Sequence, residues 1–132
     1  MNSDLYVVFV SHSSHDEFIA SVIAEKIEVL GAKPWLDKLD LEGGDIVLDR
    51  IIKGIDECRE AVVLVSPVSV DSQWVLFEIG AVHGQHKRVT PILNGVNHDA
   101  LKPLKGVKSI ELNDFKKFLD ELQERIKKEN QI

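Results

Sequence analysis

The sequence predicts a single α/β domain, in which parallel strands alternate with helices along residues 1–132. Apolar runs rich in β-branched residues recur from end to end, as is typical of strands buried on both faces. Most of the segments between these runs repeat apolar residues at helical spacing. The length of 132 residues suits one hydrophobic core, and no internal repeat or low-complexity linker divides the chain.

The first half of the chain predicts three strands and two helices. The strands are expected at Leu5–Val10, Lys33–Asp37 and Ala61–Ser66. Ser14 and Glu17 have the spacing of a capping box at the start of the first helix, and Gly31 stands where its C-terminal cap belongs. Asp45 can cap a second helix that runs to about Cys58. The apolar stripe of the first helix is expected to comprise Phe18, Ile19, Val22, Ile23, Ile27 and Leu30.

The second half predicts two strands and two helices. The strands are expected at Arg88–Leu93 and Val107–Leu112, separated by a loop with one helical turn over residues 94–106. Asp71 or Ser72 opens the third helix, and Asn113 or Asp114 caps the last one. Pro91 indicates an irregularity or a less central position for the fourth strand. The core stripe of the last helix is expected to comprise Phe115, Phe118, Leu119, Leu122 and Ile126.

These elements predict a flavodoxin-like, doubly wound, five-stranded parallel sheet with helices on both faces. Right-handed crossovers between parallel strands lead to this arrangement. Ligands of such sheets bind beyond the carboxyl ends of the strands. This rule gathers Ser11–Ser14, Asp37, Ser66 and the start of the third helix at Trp74 into one neighbourhood.

One carboxylate falls where a charge is costly. Glu78 lies within Trp74–Val82, which is apolar on every side of it and predicts a helix buried almost all round. A carboxylate there must be paired or neutralised, or must point into a cleft. The local sequence leaves a structural pairing and a cleft position equally open. Trp74 and Glu78 share a helix face, and an aromatic plane beside a carboxylate suits a flat heterocycle attached to a sugar.

Composition excludes several classes of partner. The net charge of -6 opposes a phosphate backbone, so no nucleic-acid partner is expected. No membrane partner is expected either, because no stretch is long and apolar enough to span a bilayer and the N-terminus lacks a secretory signal. The single cysteine, Cys58, suits a reducing compartment, so the expected location is cytoplasmic. Its apolar setting favours a buried small hydrophobe over a reactive thiol.

Several reaction signatures are missing from the sequence. Ser11–Ser14 follows the first strand without the glycines of a dinucleotide fingerprint, and the chain has no P-loop and no nucleophile elbow. Ser66–Pro67 and Asn113–Asp114 stand where a phosphoryl-accepting receiver domain needs an aspartate and a lysine. His83 and His86 could share a metal. With no third ligand nearby in the sequence, surface or capping histidines are favoured and no metal site is expected.

Three segments resemble the motifs of a TIR (Toll/interleukin-1 receptor) domain of the bacterial type. Val8–Asp16 is similar to the family's first box. Pro34–Ile46 is similar to its second strand and the following BB loop, and Ser66–Glu78 to the end of its third strand and the catalytic helix. The resemblance covers nearly the whole chain. The stretch Asp40–Gly44 lacks the arginine–aspartate pair and the proline of animal adaptors, which favours the bacterial type.

The resemblance implies an NAD+ glycohydrolase that cleaves the nicotinamide–ribose bond of NAD+, with Glu78 as the catalytic carboxylate and Trp74 beside it. NAD+ is then the substrate, and no separate cofactor is implied. A carboxylate near the ribose would stabilise the oxocarbenium-like charge left by nicotinamide, which is a cationic leaving group and needs no general acid. The reaction could end in hydrolysis or in cyclisation of the ADP-ribosyl product.

The resemblance also implies substrate-binding residues. Ser11, His12 and Ser13 match first-box positions that line the NAD+ cleft. Ser13 stands where some members carry an arginine, so the resemblance does not imply a direct phosphate clamp at this position. Asp37 is either a second polar group in the cleft or a cap of the BB loop.

Two further positions belong to the BB loop. Ile46 either contacts the nucleotide or starts the core stripe of the next helix, and Gly44 is expected to lie against the nucleotide. The family implies self-association through this loop into a homo-oligomer. It also implies a role in anti-phage defence or signalling, with a separate sensor or effector protein as a further partner.

Two alternative functions stay open from the sequence. The first is a non-catalytic TIR signalling or adaptor module that acts through TIR–TIR assembly. The second is a nucleoside deoxyribosyltransferase, which shares the general architecture and a catalytic glutamate but fits the first-box and BB-loop motifs less well.

Overall fold

A computed structural model describes residues 5–36 and 47–130 of the chain, with a parallel sheet at its centre. The strands are β1 (Val7–Ser11), β2 (Lys33–Leu36), β3 (Glu60–Val65), β4 (Arg88–Leu93) and β5 (Ile110–Glu111). Their order across the sheet is β2-β1-β3-β4-β5, and every neighbouring pair is parallel. This order confirms the flavodoxin-like arrangement. The predicted positions Asp37, Gly44 and Ile46, and the BB loop as a whole, lie outside the described residues.

The helices cover both faces of the sheet. They are α1 (Glu17–Val29), α2 (Val47–Glu57), α3 (Gln73–Gly84) and α4 (Phe115–Asn130). One buried cluster joins α1 and α4 to the sheet, and a second joins α2 and α3 to the opposite face. Strand alternation sorts the side chains between the clusters: Val8 and Val10 enter the first, whereas Phe9 enters the second.

The start of α1 differs from its prediction. Ser13 accepts a hydrogen bond from the backbone N–H of His15 at 3.2 Å and so caps a short 3₁₀ turn over Ser14–Asp16. Because α1 begins only at Glu17, Ser14 lies too far upstream to form the predicted capping box. The C-terminal end is as predicted, with Gly31 in the left-handed region at φ +93°.

The predicted core stripe of α1 was partly wrong. Phe18 is 81% exposed. The buried side of the helix is formed by Ala20, Ile23, Ala24 and Ile27. At 100° per residue, Phe18 projects from the opposite side of the helix.

The fifth strand is shorter than predicted. Only Ile110–Glu111 pairs with β4, where Val107–Leu112 was expected. The shared ladder begins at Ile92, directly after Pro91, which has no N–H to donate. Pro91 is therefore paired with β3 alone, consistent with the expected irregularity at this position. One 3₁₀ turn, Lys102–Leu104, lies in the predicted loop.

Helix α3 is buried along one stripe instead of all round. Val75, Glu78, Ile79 and Val82 are buried, whereas the exposed apolar side chains of this helix are Trp74, Leu76 and Phe77. The prediction of a helix enclosed on all sides was wrong because the sheet covers only one of its faces. Cys58, by contrast, is buried as predicted, and its thiol donates to the Ile55 carbonyl at 3.1 Å.

Candidate active site

Two periodicities bring Ser11 and Glu78 together. Ser11 is the last residue of β1, and strand alternation directs its side chain to the same face as Phe9, where α3 packs. Glu78 belongs to the buried stripe of α3. It therefore faces the sheet at the carboxyl end of β1, although 67 residues separate it from Ser11.

The contact between these two side chains is short and buried. The Ser11 hydroxyl donates to Glu78 Oε1 at 2.6 Å, and the residues are 2% and 0% exposed. This distance lies within the usual range for a hydroxyl that donates to an oxygen. The bond fixes the orientation of the carboxylate at the end of the strand.

A cleft of about 640 Å³ lies beside this pair. Its wall comes from the turn after β1, the start of α1, helix α2, the segment after β3 and the first turn of α3. The residues that line it are His12, Ser13, Ser14, His15, Glu17, Ile51, Pro67, Val68, Asp71, Ser72 and Trp74. The cleft therefore lies at the ligand-binding edge predicted for a doubly wound sheet.

The predicted site residues take two different positions around this cleft. His12, Ser13 and Trp74 line it, and Trp74 is 48% exposed. Ser11 and Glu78 lie behind the lining residues: Ser11 directly precedes His12, and Glu78 is one helical turn beyond Trp74. The carboxylate is therefore paired with Ser11 and buried behind the wall of the cleft, and it does not itself line the cleft.

A second serine–carboxylate pair lies at the end of the adjacent strand. The Ser66 hydroxyl, just after β3, donates to Asp16 Oδ2 at 2.6 Å. Ser69 braces the same turn, because its hydroxyl accepts from the Ser66 backbone N–H at 2.8 Å. These bonds join the start of α1 to the end of β3 and hold the turn after β1 that lines the cleft.

Sequence reasoning placed Ser66 in this neighbourhood but missed its partner Asp16. An aspartate directly before a helix is ordinarily expected to cap that helix, whereas Asp16 makes no side-chain cap bond and accepts from Ser66 instead.

Glu60 is a second buried carboxylate that the sequence analysis missed. It is 1% exposed and lies at the opposite, amino-terminal edge of the sheet. Arg125 of α4 donates to both of its oxygens at 2.9 Å, and the Tyr6 hydroxyl donates to Oε2. Burial, followed by the hydrogen bond to Glu60, raises the pKa of Tyr6 to about 12. This network joins α4 to the sheet and lies far from the cleft.

The described residues contain no group of three or more His, Cys, Asp or Glu side chains arranged to hold a metal ion. His83 and His86 lie at the end of α3, where His86 adopts a left-handed conformation with φ 59° and its N–H bonds to the His83 carbonyl. This is the geometry of a helix C-terminus. Across 5–36 and 47–130, no helix has the length and apolarity needed to cross a bilayer.

The fold and the cleft define an α/β domain with a buried carboxylate beside the ligand-binding edge of a parallel sheet. Residues 8–126 match the family described as TIR domain, and the chain belongs to that family.

Two curated relatives and one solved structure extend this comparison. The chain is similar to "2' cyclic ADP-D-ribose synthase BtTIR" of Bacteroides thetaiotaomicron, with 28% identity over 71% of this chain and 34% of the relative. It is also similar to "Probable 2' cyclic ADP-D-ribose synthase BdTIR" of Brachypodium distachyon, with 30% identity over 74% of this chain and 45% of that relative. A metazoan TIR-STING receptor from C. gigas superposes with a TM-score of 0.67 at 26% identity, over 80% of this chain and 34% of that one. The match thus spans less than half the length of each.

Proposed function

We propose that this chain consumes NAD+ by breaking the bond between nicotinamide and ribose, with Glu78 as the catalytic carboxylate. The observation that carries the proposal is the buried Glu78 carboxylate, held by Ser11 beside the cleft and one helical turn from Trp74. The names of the two curated relatives support the class of substrate, because both describe synthases of a cyclic ADP-ribose.

The chemistry needs few groups from the protein. When the glycosidic bond breaks, nicotinamide leaves with the bonding electron pair and becomes neutral, and the ribose carries an oxocarbenium-like positive charge. The Glu78 carboxylate would stabilise that charge, and a preorganised charge of this kind is typically worth about 10²–10³ in rate. Water or a hydroxyl of the substrate then adds to the ribose and loses a proton, which gives a linear or a cyclic product.

The cleft offers groups for the rest of the substrate. Trp74 presents an exposed indole that can stack on a heterocycle, and the His12 and Ser13 side chains offer hydrogen-bonding groups. Glu78 itself is covered, so the proposal includes a local rearrangement that exposes the carboxylate when substrate binds. NAD+ enters as substrate, and the proposal requires no separate cofactor.

The proposal is tested by mixing the purified chain with NAD+ and measuring free nicotinamide together with the ADP-ribosyl product. Wild type is expected to release nicotinamide, and Glu78→Gln to release it at least about 100-fold more slowly while staying folded. No release by wild type over a wide range of protein concentrations would remove the proposal.

Glu60→Gln is the matched control, since it neutralises the other buried carboxylate without approaching the cleft. It is expected to lower stability, because the Arg125 charge loses its partner. Below its unfolding temperature it should release nicotinamide at a rate close to that of wild type. An equal loss of activity in both variants would show that the Glu78 effect is not specific.

A second candidate is a non-catalytic signalling module that acts through assembly. Trp74, Leu76 and Phe77 expose apolar surface at the start of α3, and Trp74 and Phe77 meet edge to face with ring centroids 6.1 Å apart. Such surface favours self-association. Light scattering over a concentration series, with nicotinamide measured in the same samples, separates the two functions. A fully assembled but inactive protein would favour the signalling module.

The cellular setting is also a proposal. An NAD+-consuming TIR domain would act in bacterial anti-phage defence or signalling by lowering the NAD+ level or by producing a nucleotide signal, under the control of a separate sensor or effector. Bacteria that express wild type are expected to lose NAD+ after infection, whereas those that express Glu78→Gln should retain it. Equal NAD+ levels in the two strains would contradict this setting.

A further inference from the structure

We infer that Ser11 is a positioning residue that acts on the reaction through Glu78, instead of contacting the substrate. This inference rests on the proposed function of Glu78. Its basis is the 2.6 Å bond from the buried Ser11 hydroxyl to Glu78 Oε1, which directs the hydroxyl at the carboxylate.

The burial of both residues gives the bond its effect. Ser11 is 2% exposed and Glu78 is 0% exposed, so water cannot easily replace the hydroxyl. A donor held in place beside a carboxylate stabilises its charged form. It also restricts rotation about the last side-chain bond, so that the carboxylate meets the ribose in one orientation.

The contact joins two rigid elements. Ser11 is fixed by β1, which pairs with β2 on one side and β3 on the other. Glu78 is fixed by α3, whose neighbours Val75 and Ile79 are buried against the same sheet. A substitution at Ser11 therefore removes the hydroxyl without loosening the backbone that carries Glu78.

The neighbouring serine pair provides a matched comparison. Ser66 donates to Asp16 at the same distance of 2.6 Å, at the end of the next strand. Asp16 is not proposed to stabilise charge on the ribose. Loss of the Ser66 hydroxyl should therefore disturb the cleft wall without changing the protonation of the catalytic carboxylate.

The test is a comparison of kcat and KM for nicotinamide release against pH in wild type, Ser11→Ala, Ser11→Thr and Ser66→Ala. Ser11→Ala is expected to lower kcat by about 10-fold or more at neutral pH and to leave KM within about twofold. The acid limb of its pH–rate profile should move to higher pH, because the carboxylate without its hydrogen-bond donor accepts a proton more readily. Ser11→Thr keeps the hydroxyl, so its kcat and the pH of its acid limb should both return toward those of wild type.

Other titratable groups lie near the pair. Among the described residues these are His12, His15, Glu17 and Asp71 around the cleft, and Asp16 bonded to Ser66. All of them are present in every variant, and Ser66→Ala removes the hydroxyl donor of Asp16 alone. Ser66→Ala should show an acid limb at the wild-type pH.

Three results would overturn the inference. The first is wild-type kinetics in Ser11→Ala. The second is a raised KM with an unmoved acid limb, which would assign Ser11 to direct substrate contact. The third is an equal shift of the acid limb in Ser66→Ala.

A second readout does not depend on activity. NMR can follow the titration of the Glu78 carboxyl group in wild type and in Ser11→Ala through the ¹³C signal of its carboxyl carbon. This signal is assigned by its disappearance from the spectrum of Glu78→Gln. The inference expects protonation at higher pH in Ser11→Ala, and identical titrations would overturn it. If this shift is present but wild type releases no nicotinamide, the Ser11–Glu78 coupling stands as a property of the site and the proposed enzymatic function fails.

Discussion

Glu60 and Glu78 are the same residue type, buried to the same degree, at opposite edges of one sheet. Glu60 pairs with the permanent charge of Arg125 and binds the sheet to α4. Glu78 accepts from the neutral Ser11 hydroxyl beside a cleft. The two carboxylates therefore differ in place: Glu60 joins two elements away from the cleft, whereas Glu78 lies behind the cleft wall.

Tyr6 provides the clearest pH prediction. Its pKa is raised to about 12, first by burial and then by the bond to Glu60. A raised pKa contributes stability that is complete below the ordinary value of about 10 and is lost as pH rises through about 12. The chain has one tyrosine, so tyrosinate absorbance reports this side chain alone. Titration near 12 in the folded protein and near 10 in denaturant is expected; a native transition near 10 would contradict the buried contact.

The sequence was informative about the site wherever the signal was local. Glu78 drew attention because a carboxylate interrupts an apolar helix, and strand ends placed His12, Ser13 and Trp74 at one edge. The partner of Glu78 could not be predicted, because it lies 67 residues away. Glu60 was missed for the same reason: its partner Arg125 is 65 residues away, and a charged residue at the start of a strand is usually exposed.

At the scale of elements, Gly54 fixes how closely α2 approaches the sheet. A methyl group at this position would lie 2.6 Å from Trp35 Cδ2, and the Trp35 ring is already stacked on Phe9 at 5.0 Å. Gly54→Ala should therefore lower the free energy of unfolding by about 1–2 kcal/mol, since overpacking outweighs the better helix propensity of alanine. Urea unfolding monitored by circular dichroism measures the change.

Gly80→Ala in α3 is the control for this prediction. A methyl group at Gly80 meets no heavy atom within 4 Å, so only helix propensity changes. The free energy of unfolding should rise, by up to about 1 kcal/mol. Equal effects of the two substitutions, in either direction, would contradict the packing account of Gly54.

The attachment of α4 depends on Arg125. Arg125→Met leaves the Glu60 carboxylate buried without its guanidinium and should lower the free energy of unfolding by about 3 kcal/mol. Lys116→Met on the same helix breaks only an exposed pair with Asp120 and should have little effect. Thermal unfolding of both variants measures the difference. Similar unfolding temperatures would show that the buried pair is not a main attachment.

Most elements followed from local patterns, and the exceptions were set by tertiary contacts. β4 matches its predicted bounds, and all of its residues after Arg88 are buried. β5 is two residues long because its ladder begins only after Pro91. The exposed side of α3 could not be predicted from its apolar composition, because the pattern does not show which side the sheet will cover.

At the scale of the whole molecule, the parallel sheet gives the two edges different roles. The amino-terminal edge carries the Tyr6–Glu60–Arg125 network, and the carboxyl edge carries the cleft with its two serine–carboxylate pairs. Every strand runs in the same direction, so residues that follow different strands meet at one edge. The fold therefore brings β1 and α3 together at the place where the proposed reaction would occur.

The central claim is that the Glu78 carboxylate carries the cleavage of NAD+. The most direct measurement is the rate of nicotinamide release per folded molecule in Glu78→Gln relative to wild type, at equal concentration and state of assembly. We expect release by wild type and a loss of at least about 100-fold in Glu78→Gln with the fold retained. Equal rates in the two proteins would contradict the claim.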